Sequence, residues 1–172
     1  MLARLYLYYL KGIPMRRSDR EITNKSEIIE IIEKCDVCRL AFSENNVPYI
    51  VPMNYGYEYK NGKLTLYFHG AKEGKKHDIM RENPVASFEM DCSHKLIEAD
   101  EANNYTMEYE SVIGIGNVHY CFEKSEKTNA LKQLMKKYAK NKEFDFHDHV
   151  LDSVTVFKLD VLAFTGKRLK KN

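Results

Sequence analysis

The pair Asn61–Gly62 is the sequence feature that most constrains the fold of this chain. It separates two segments rich in β-branched and aromatic residues, 49–59 and 64–69. An Asn-Gly pair between such segments is the strongest short-range signal for a β-hairpin, because both residues tolerate a positive φ. The second segment alternates with period two and carries aromatic rings on both faces, so neither face is expected to be fully exposed. The sequence therefore predicts an antiparallel hairpin near the middle of the chain, interrupted at Asn54 and Gly56.

Six strands and three helices are predicted along the chain. The predicted strands are 37–42, 49–59, 64–69, 85–90, 105–122 and 151–164. The predicted helices are 26–34 with Thr23 or Ser26 as the N-cap, 75–82, and 124–142, and residues 91–104 are predicted to form a loop. Most successive strands are joined by hairpins and not by helical crossovers. This pattern favours an α+β fold built on an antiparallel barrel with helices packed outside it.

The chain length and its N-terminal composition predict the domain organisation. A chain of 172 residues is long enough for one domain with a substantial core. We assign this domain to residues 15–172. Residues 1–14 are interpreted as an N-terminal extension, since their short apolar stretch lacks a small-residue cleavage site. Met15 is the alternative start.

Charge, hydropathy and cysteine content exclude several classes of function. A formal net charge of +2 is too small to indicate nucleic acid as a partner. The sequence has no apolar run long enough for a transmembrane span, so no membrane association is predicted. The four cysteines, without a recognisable signal peptide, indicate reduced thiols and a cytoplasmic location.

The Gly74-Lys75-Lys76 sequence lies where the second predicted helix begins. Unpaired backbone N–H groups, the helix dipole and two ammonium groups together could bind a phosphate. The alternative is an ordinary solvated helix start. His69, at the end of the preceding strand, could donate a proton because its unperturbed pKa is near neutrality. The alternative for His69 is a half-buried structural role.

The cysteine and histidine spacings do not predict a metal site. Cys35 and Cys38 form one C-x-x-C pair, and zinc usually requires four ligands. The runs 92–94 and 147–149 contain further Cys and His residues, but nothing in their spacing ties them to this pair. A redox disulfide at Cys35 and Cys38 is equally weakly indicated, because no thioredoxin-like βαβ pattern surrounds it.

The order of the elements and of several short motifs resembles a known family. The motifs are Met15-Arg16-Arg17, Arg20-Glu21-Ile22, PYIVPMNYGY from Pro48, LYFHGA from Leu66, Gly74-Lys75-Lys76, Asn83-Pro84-Val85, Tyr109-Glu110-Ser111-Val112 with Gly114 and Gly116, and Thr165-Gly166-Lys167. In this order they resemble the FMN-binding split β-barrels of the pyridoxamine 5′-phosphate oxidase-like superfamily. Within it, they are most similar to the branch named for nitroimidazole-resistance proteins. The resemblance covers about residues 15–167.

The resemblance implies a six-stranded split barrel that forms a homodimer with FMN at the subunit interface. The residues that it places at the cofactor are Pro52, Met53, Asn54, Phe68, His69, Gly70, Ala71, Lys75, Lys76, Glu110, Ser111 and Val112. Residues 52–54 would lie along the isoalloxazine ring, and residues 68–71 would follow the ribityl chain and the ring edge. Lys75 and Lys76 would hold the phosphate, with Lys76 favoured. Residues 110–112 would come from the partner subunit, and His69 would be the catalytic residue.

Departures from the family pattern narrow the implied function. The helix start reads Gly-Lys-Lys where the oxidases have Ser-Arg-Lys, and the chain lacks the C-terminal Trp and Arg that hold pyridoxal phosphate. The resemblance therefore implies a flavin-dependent reductase of small electron-poor compounds, with NAD(P)H as a candidate donor. Two alternatives remain, a flavin carrier or sensor without turnover and a haem-related binding protein.

Overall fold

The computed structural model describes residues 15–140 and 142–171. The predicted extension, residues 1–14, lies outside the described residues. Eight strands are seen in this part of the chain: β1 (Glu21–Ile22), β2 (Cys38–Glu44), β3 (Val47–Met53), β4 (Gly56–Lys60), β5 (Lys63–Gly70), β6 (Val85–Ile97), β7 (Thr106–Tyr120) and β8 (Thr155–Leu169). The α-helices are α1 (Lys25–Lys34), α2 (Lys75–Glu82), α3 (Lys124–Tyr138) and α4 (Asp148–Ser153).

All the strands belong to one antiparallel sheet, in the order β3-β2-β6-β7-β8-β5-β4, with β1 paired to β8. The long strands β6, β7 and β8 form its centre. The predicted α+β class is therefore confirmed. The sheet has two strands more than the six predicted, because no strand was predicted at Glu21–Ile22 and the segment 49–59 is divided into β3 and β4.

The central hairpin forms as the sequence predicts. Asn61 and Gly62 adopt φ values of 54° and 76°, and β4 and β5 pair in register on either side of them. Asn45 and Asn46 repeat this turn between β2 and β3, with φ values of 51° and 65°. Two successive positive φ values match the twist of antiparallel strands, which explains why both turns need Asn or Gly.

Tyr55 separates β3 from β4 and ties the sheet to α1. Its side chain is fully buried, and its hydroxyl lies 2.5 Å from the carbonyl oxygen of Ile32 and 2.9 Å from that of Cys35. These carbonyls belong to the C-terminal end of α1, where backbone acceptors lack intrahelical partners. The strand is therefore interrupted at Tyr55, whose hydroxyl binds the C-terminal end of α1 to the sheet.

Two regions of the prediction are wrong. Residues 91–97, predicted to be loop, continue β6, with Leu96 opposite Met107 on β7. A register shift between Cys92 and Lys95, where Ser93 has a φ of 58°, breaks the period-two pattern and hides the strand. At the other end of the chain, Leu151 lies in α4 and not in the final strand.

The helices begin and pack largely as expected. The N-cap of α1 is Asn24, not Thr23 or Ser26: its side-chain oxygen accepts a 2.9 Å hydrogen bond from the Ser26 amide. Ile28, Ile31 and Ile32 bury the apolar face of α1 in the main core. Among the described residues, no helix combines the length and apolar character needed to cross a membrane.

Helix α3 covers the outer face of β4, β5 and β8 and packs very closely at Gly56. A Cβ atom at this position would lie 2.4 Å from the backbone carbon of Gln133. A second core cluster, which includes Tyr67, Leu131 and Leu134, fills the space between the helix and the sheet. Only glycine permits this approach, and the approach fixes α3 above the end of β5.

Candidate functional site

The ends of β3 and β5 and the start of α2 meet at one point of the fold. The position that a Cβ atom would occupy at Gly70 is 3.4 Å from the Lys76 Nζ atom and 3.9 Å from the terminal methyl carbon of Met53. Three residues predicted at the cofactor are thus brought together from three elements. We call this group, Met53, Gly70 and Lys76, the lysine mouth.

The two lysines at the start of α2 have different surroundings. Lys75 forms a 3.1 Å ion pair with Glu44 and lies over the ring of Tyr49. Lys76 has no carboxylate within ion-pair distance in the described part of the chain. Gly74, which precedes the helix, has a φ of 132° and no side chain to cap it. The first N–H groups of α2 and the Lys76 ammonium are therefore left for an external anion.

His77 holds the loop between β5 and α2 in place. It is buried, with Nε2 2.9 Å from the Ala71 carbonyl oxygen and Nδ1 3.0 Å from the Tyr120 hydroxyl. A carbonyl only accepts, so Nε2 carries the hydrogen and Nδ1 accepts from Tyr120. Burial lowers the pKa of His77, and the Ala71 carbonyl only partly offsets this effect. The imidazole is therefore neutral at physiological pH.

Replacing His77 with leucine is expected to destabilise the protein by about 2 kcal/mol, because the Ala71 carbonyl and the Tyr120 hydroxyl lose their partner. The lowered pKa of His77 also gives a pH signature. Below about pH 6.5 the unfolded histidine binds a proton that the folded one resists, so wild-type stability falls as the pH decreases. Urea unfolding at pH 7.5 and 5.5 measures both effects. A variant with the same pH dependence as wild type would contradict this role.

Asn54 and His69 lie on the other side of the strand ends, next to a cavity of about 430 Å3 that we call the His69 cavity. His69 is solvent-accessible, and its neighbours nevertheless desolvate it enough to lower its pKa. Six of the other lining residues are Leu131, Leu134, Met135, Tyr138, Phe146 and Val150. A neutral imidazole with an N–H donor thus faces a largely apolar space between β5, α3 and α4.

The remaining residues predicted on these strands have varied exposure. The Phe68 side chain is fully buried and stacks on Phe157, with ring centroids 5.3 Å apart. A ligand outside the core could therefore contact Phe68 only through its main chain. Pro52 and Ala71 are exposed, which leaves their surfaces accessible.

Residues 110–112 do not join this group within one chain. Gly70 pairs with Thr155 at the start of β8, whereas Glu110 pairs with Arg168 near its end. The 15 residues of β8 span roughly 50 Å of chain at about 3.3 Å per residue. Val112 is also fully buried, and Ser111 is partly buried. Within one chain, this segment and the lysine mouth therefore lie towards opposite ends of β8.

The carboxylate of Glu110 is already fully engaged inside its own chain. It accepts hydrogen bonds from Arg168 Nε at 2.6 Å, Lys34 Nζ at 2.8 Å and the Ser93 hydroxyl at 2.9 Å. Arg168 also contacts Glu27 on α1 at 2.7 Å. Burial alone would raise the pKa of Glu110, but these donors hold it at about 2. This cluster links α1, β6, β7 and β8.

The cysteines show no metal or disulfide chemistry in the described residues. No group of three His, Cys, Asp or Glu side chains there is arranged to hold a metal ion. Cys35 and Cys38 are buried free thiols, and burial raises the pKa of both. The pair belongs to the main core, where thiols behave as small apolar groups.

Sequence reasoning missed His77, Tyr55, Tyr138 and Arg168. His77 lies three residues before Met80, so it shares the buried face of α2, and this spacing was the available signal. The partners of the other three residues are distant along the chain, as with Arg168 and Glu27 or with the Tyr138 hydroxyl and the Asp36 carbonyl. No local pattern indicates such contacts.

Comparison with known proteins gives a consistent result. The family model described as pyridoxamine 5′-phosphate oxidase matches residues 24–168. A crystal structure of a candidate 5-nitroimidazole antibiotic resistance protein from Bacteroides thetaiotaomicron is 32% identical, with a TM-score of 0.76 over 86% of each chain. No curated protein matches the chain.

More distant structures share the fold alone. The flavocytochrome Anf3 from Azotobacter vinelandii is 16% identical, with a TM-score of 0.76 over 92% of this chain and 73% of its own. An FAD-binding protein from Mesorhizobium loti is 21% identical, with a TM-score of 0.60 over 88% of this chain and 98% of its own. The split-barrel architecture predicted from the sequence is thus confirmed.

Proposed function

The chain belongs to the pyridoxamine 5′-phosphate oxidase family, and we propose that it is an FMN-dependent reductase of small electron-poor compounds. The observation that carries this proposal is the lysine mouth, where Lys76, without a carboxylate partner in the described residues, faces Gly70 at the open start of α2.

The residues of the lysine mouth fit the phosphate of FMN. A phosphate dianion requires cations and free N–H donors, which Lys76 and the first turn of α2 provide. Gly70 keeps open the space next to Lys76 that a side chain would fill. Met53 adds an apolar contact of the kind that a flat aromatic ring needs. These residues would hold the cofactor, while residues 68–71 would contact it along the main chain.

When bound, a flavin supplies two-electron redox chemistry, and the protein provides orientation and electrostatics. Lys76 would compensate the phosphate charge, and Asn54 would hydrogen-bond the polar edge of the ring. His69 would donate a hydrogen bond, and then a proton, to the acceptor substrate. For a nitroaromatic acceptor the overall reaction is R–NO2 + NAD(P)H + H+ → R–NO + NAD(P)+ + H2O, in which the nitro group is reduced and the nicotinamide is oxidised.

We further propose that the working unit is a homodimer in the cytoplasm. Residues 110–112 lie far along β8 from the lysine mouth, so only a second copy could present them to the same ligand. Several large apolar side chains on the strands are exposed, including Ile50 at 63% and Ile113 at 55%. Such side chains are suited to burial against a partner. Free cysteines are consistent with a reducing compartment.

The reductase function is tested by anaerobic mixing of FMN-loaded protein with NADH or NADPH. We expect the flavin absorbance at about 450 nm to bleach when NADH or NADPH is added and to return when nitrobenzene is added. A flavin that neither donor reduces would contradict turnover and favour a carrier or sensor. An intense haem absorption band in place of the flavin bands would favour the haem-related alternative.

A further inference from the structure

The His69 cavity has a composition that selects for a particular kind of ligand. None of the described side chains that line it carries a formal charge at neutral pH, since partial desolvation by its neighbours lowers the pKa of His69. The walls are formed mainly by Leu131, Leu134, Met135 and Val150. An anion such as a phosphate or a carboxylate would lose its hydration there without gaining a cation in return.

Among the described residues that line the cavity, Asn54 and His69 are the two whose polar side chains are available to a ligand. The Tyr138 hydroxyl donates to the Asp36 carbonyl at 2.7 Å and accepts from the Tyr55 amide at 3.1 Å. Tyr138 therefore presents its ring, and not its hydroxyl, to the cavity. Asn54 and His69 are both exposed, and no hydrogen bond engages the side chain of either in the described residues. The hydrogen-bonding capacity is thus concentrated at the end of the cavity formed by the strands.

The cavity lies next to the lysine mouth. Asn54 follows Met53 directly at the end of β3, and His69 precedes Gly70 in β5, so each of these adjacent pairs contributes one residue to each site. Val154, which also lines the cavity, precedes Thr155, which pairs with Gly70. A volume of about 430 Å3 is within the range of small-molecule sites.

We propose that the His69 cavity is the acceptor subsite and that it takes an uncharged, flat, mostly apolar molecule. One hydrogen-bonding group of this molecule, such as a nitro or carbonyl oxygen, faces Asn54 and His69. Met135 and Val150 set the size limit from the helical side. This assignment rests on the proposed flavin-dependent reduction and adds to it the class of substrate and the residues that select it.

The test uses FMN-loaded protein with two probes of similar shape, nitrobenzene and 4-nitrobenzoate. Binding is followed through the NMR signal of the His69 imidazole, assigned with a His69→Gln variant. Nitrobenzene is expected to shift this signal and to bind at least about tenfold more tightly than the charged probe. A His69 signal that nitrobenzene does not shift, or equal binding of both probes, would overturn the assignment.

A cavity-filling variant gives the second arm of the test. Val150→Phe is expected to weaken nitrobenzene binding by about tenfold or more, because the added ring occupies the cavity. Flavin content should stay at the wild-type level. Val47→Phe, at an exposed position in the β2–β3 hairpin, is the matched control and should bind nitrobenzene normally. Unchanged binding in Val150→Phe would contradict the proposal.

The two proposals fail in different ways. Protein that binds no FMN but still shows nitrobenzene binding, blocked by Val150→Phe, would overturn the flavin function and support the ligand class of the cavity. If the wild-type protein binds FMN and reduces nitrobenzene, and the Val150→Phe variant does so with the same KM, the reductase function is supported and the acceptor subsite is overturned.

Discussion

Lys76→Ala is expected to weaken FMN binding by about 30- to 150-fold, since a charge-assisted contact to a phosphate contributes roughly 2 to 3 kcal/mol. Lys76 is suited to this role because the described residues provide no carboxylate to neutralise it. Riboflavin lacks the phosphate, so its affinity should change by less than about threefold. Fluorescence titration of both flavins against wild type and variant measures the difference.

Lys75→Ala is the matched control for this experiment. Lys75 is adjacent in sequence but is paired with Glu44 at 3.1 Å, so its removal should weaken FMN binding much less. Equal losses in the two variants would show that only the general positive charge matters. A Lys76→Ala variant that binds FMN as tightly as wild type would remove the phosphate role altogether.

Glu110→Ala is expected to lower the free energy of unfolding by about 3 kcal/mol at pH 7, because it leaves Lys34 and Arg168 without their shared carboxylate. The resemblance placed Glu110 at the cofactor, but its three donors at 2.6–2.9 Å tie together four elements of its own chain. The loss should therefore occur in flavin-free protein as well. Urea unfolding of apo wild type and variant measures it.

The Glu110 cluster also predicts how stability depends on pH. The pKa of this carboxylate is about 2 in the folded protein, below its ordinary value of 4.5. Its contribution is complete above about pH 4.5 and is lost as the pH falls from there towards 2. The stability difference between wild type and Glu110→Ala should therefore shrink at acid pH. Glu58→Ala, at an exposed position on β4, is the control and should be as stable as wild type at pH 7 and at acid pH.

Local signals explain what the sequence could predict of the fold. The turn at Asn61–Gly62, the apolar face of α1 and the alternation of β5 each depend on residues a few positions apart. The structure confirms all three. The prediction missed the continuation of β6 to Ile97, because a bulge near Ser93 shifts the alternation of inward and outward side chains. The final part of β8, beyond the predicted end at residue 164, is held by pairing with β7 and not by its own composition.

The candidate site was predictable in part for the same reason. Met53, Gly70 and Lys76 lie near glycines and strand ends that mark close approach, and the structure brings them together. The apolar wall of the His69 cavity comes from α3 and α4, more than sixty residues further along the chain. No sequence spacing relates Val150 to His69. The packing of α3 on Gly56 positions the α3 part of this wall, and α4, which carries Val150, packs against α3.

The most direct test of the account is a titration of purified, flavin-free protein with FMN, followed by absorbance, with sedimentation analysis of the product. We expect saturable binding at one FMN per chain, a dimeric complex, and markedly weaker binding of riboflavin. A folded protein that binds neither flavin, or that binds both with equal affinity, would contradict the claim that the lysine mouth holds the phosphate of a flavin.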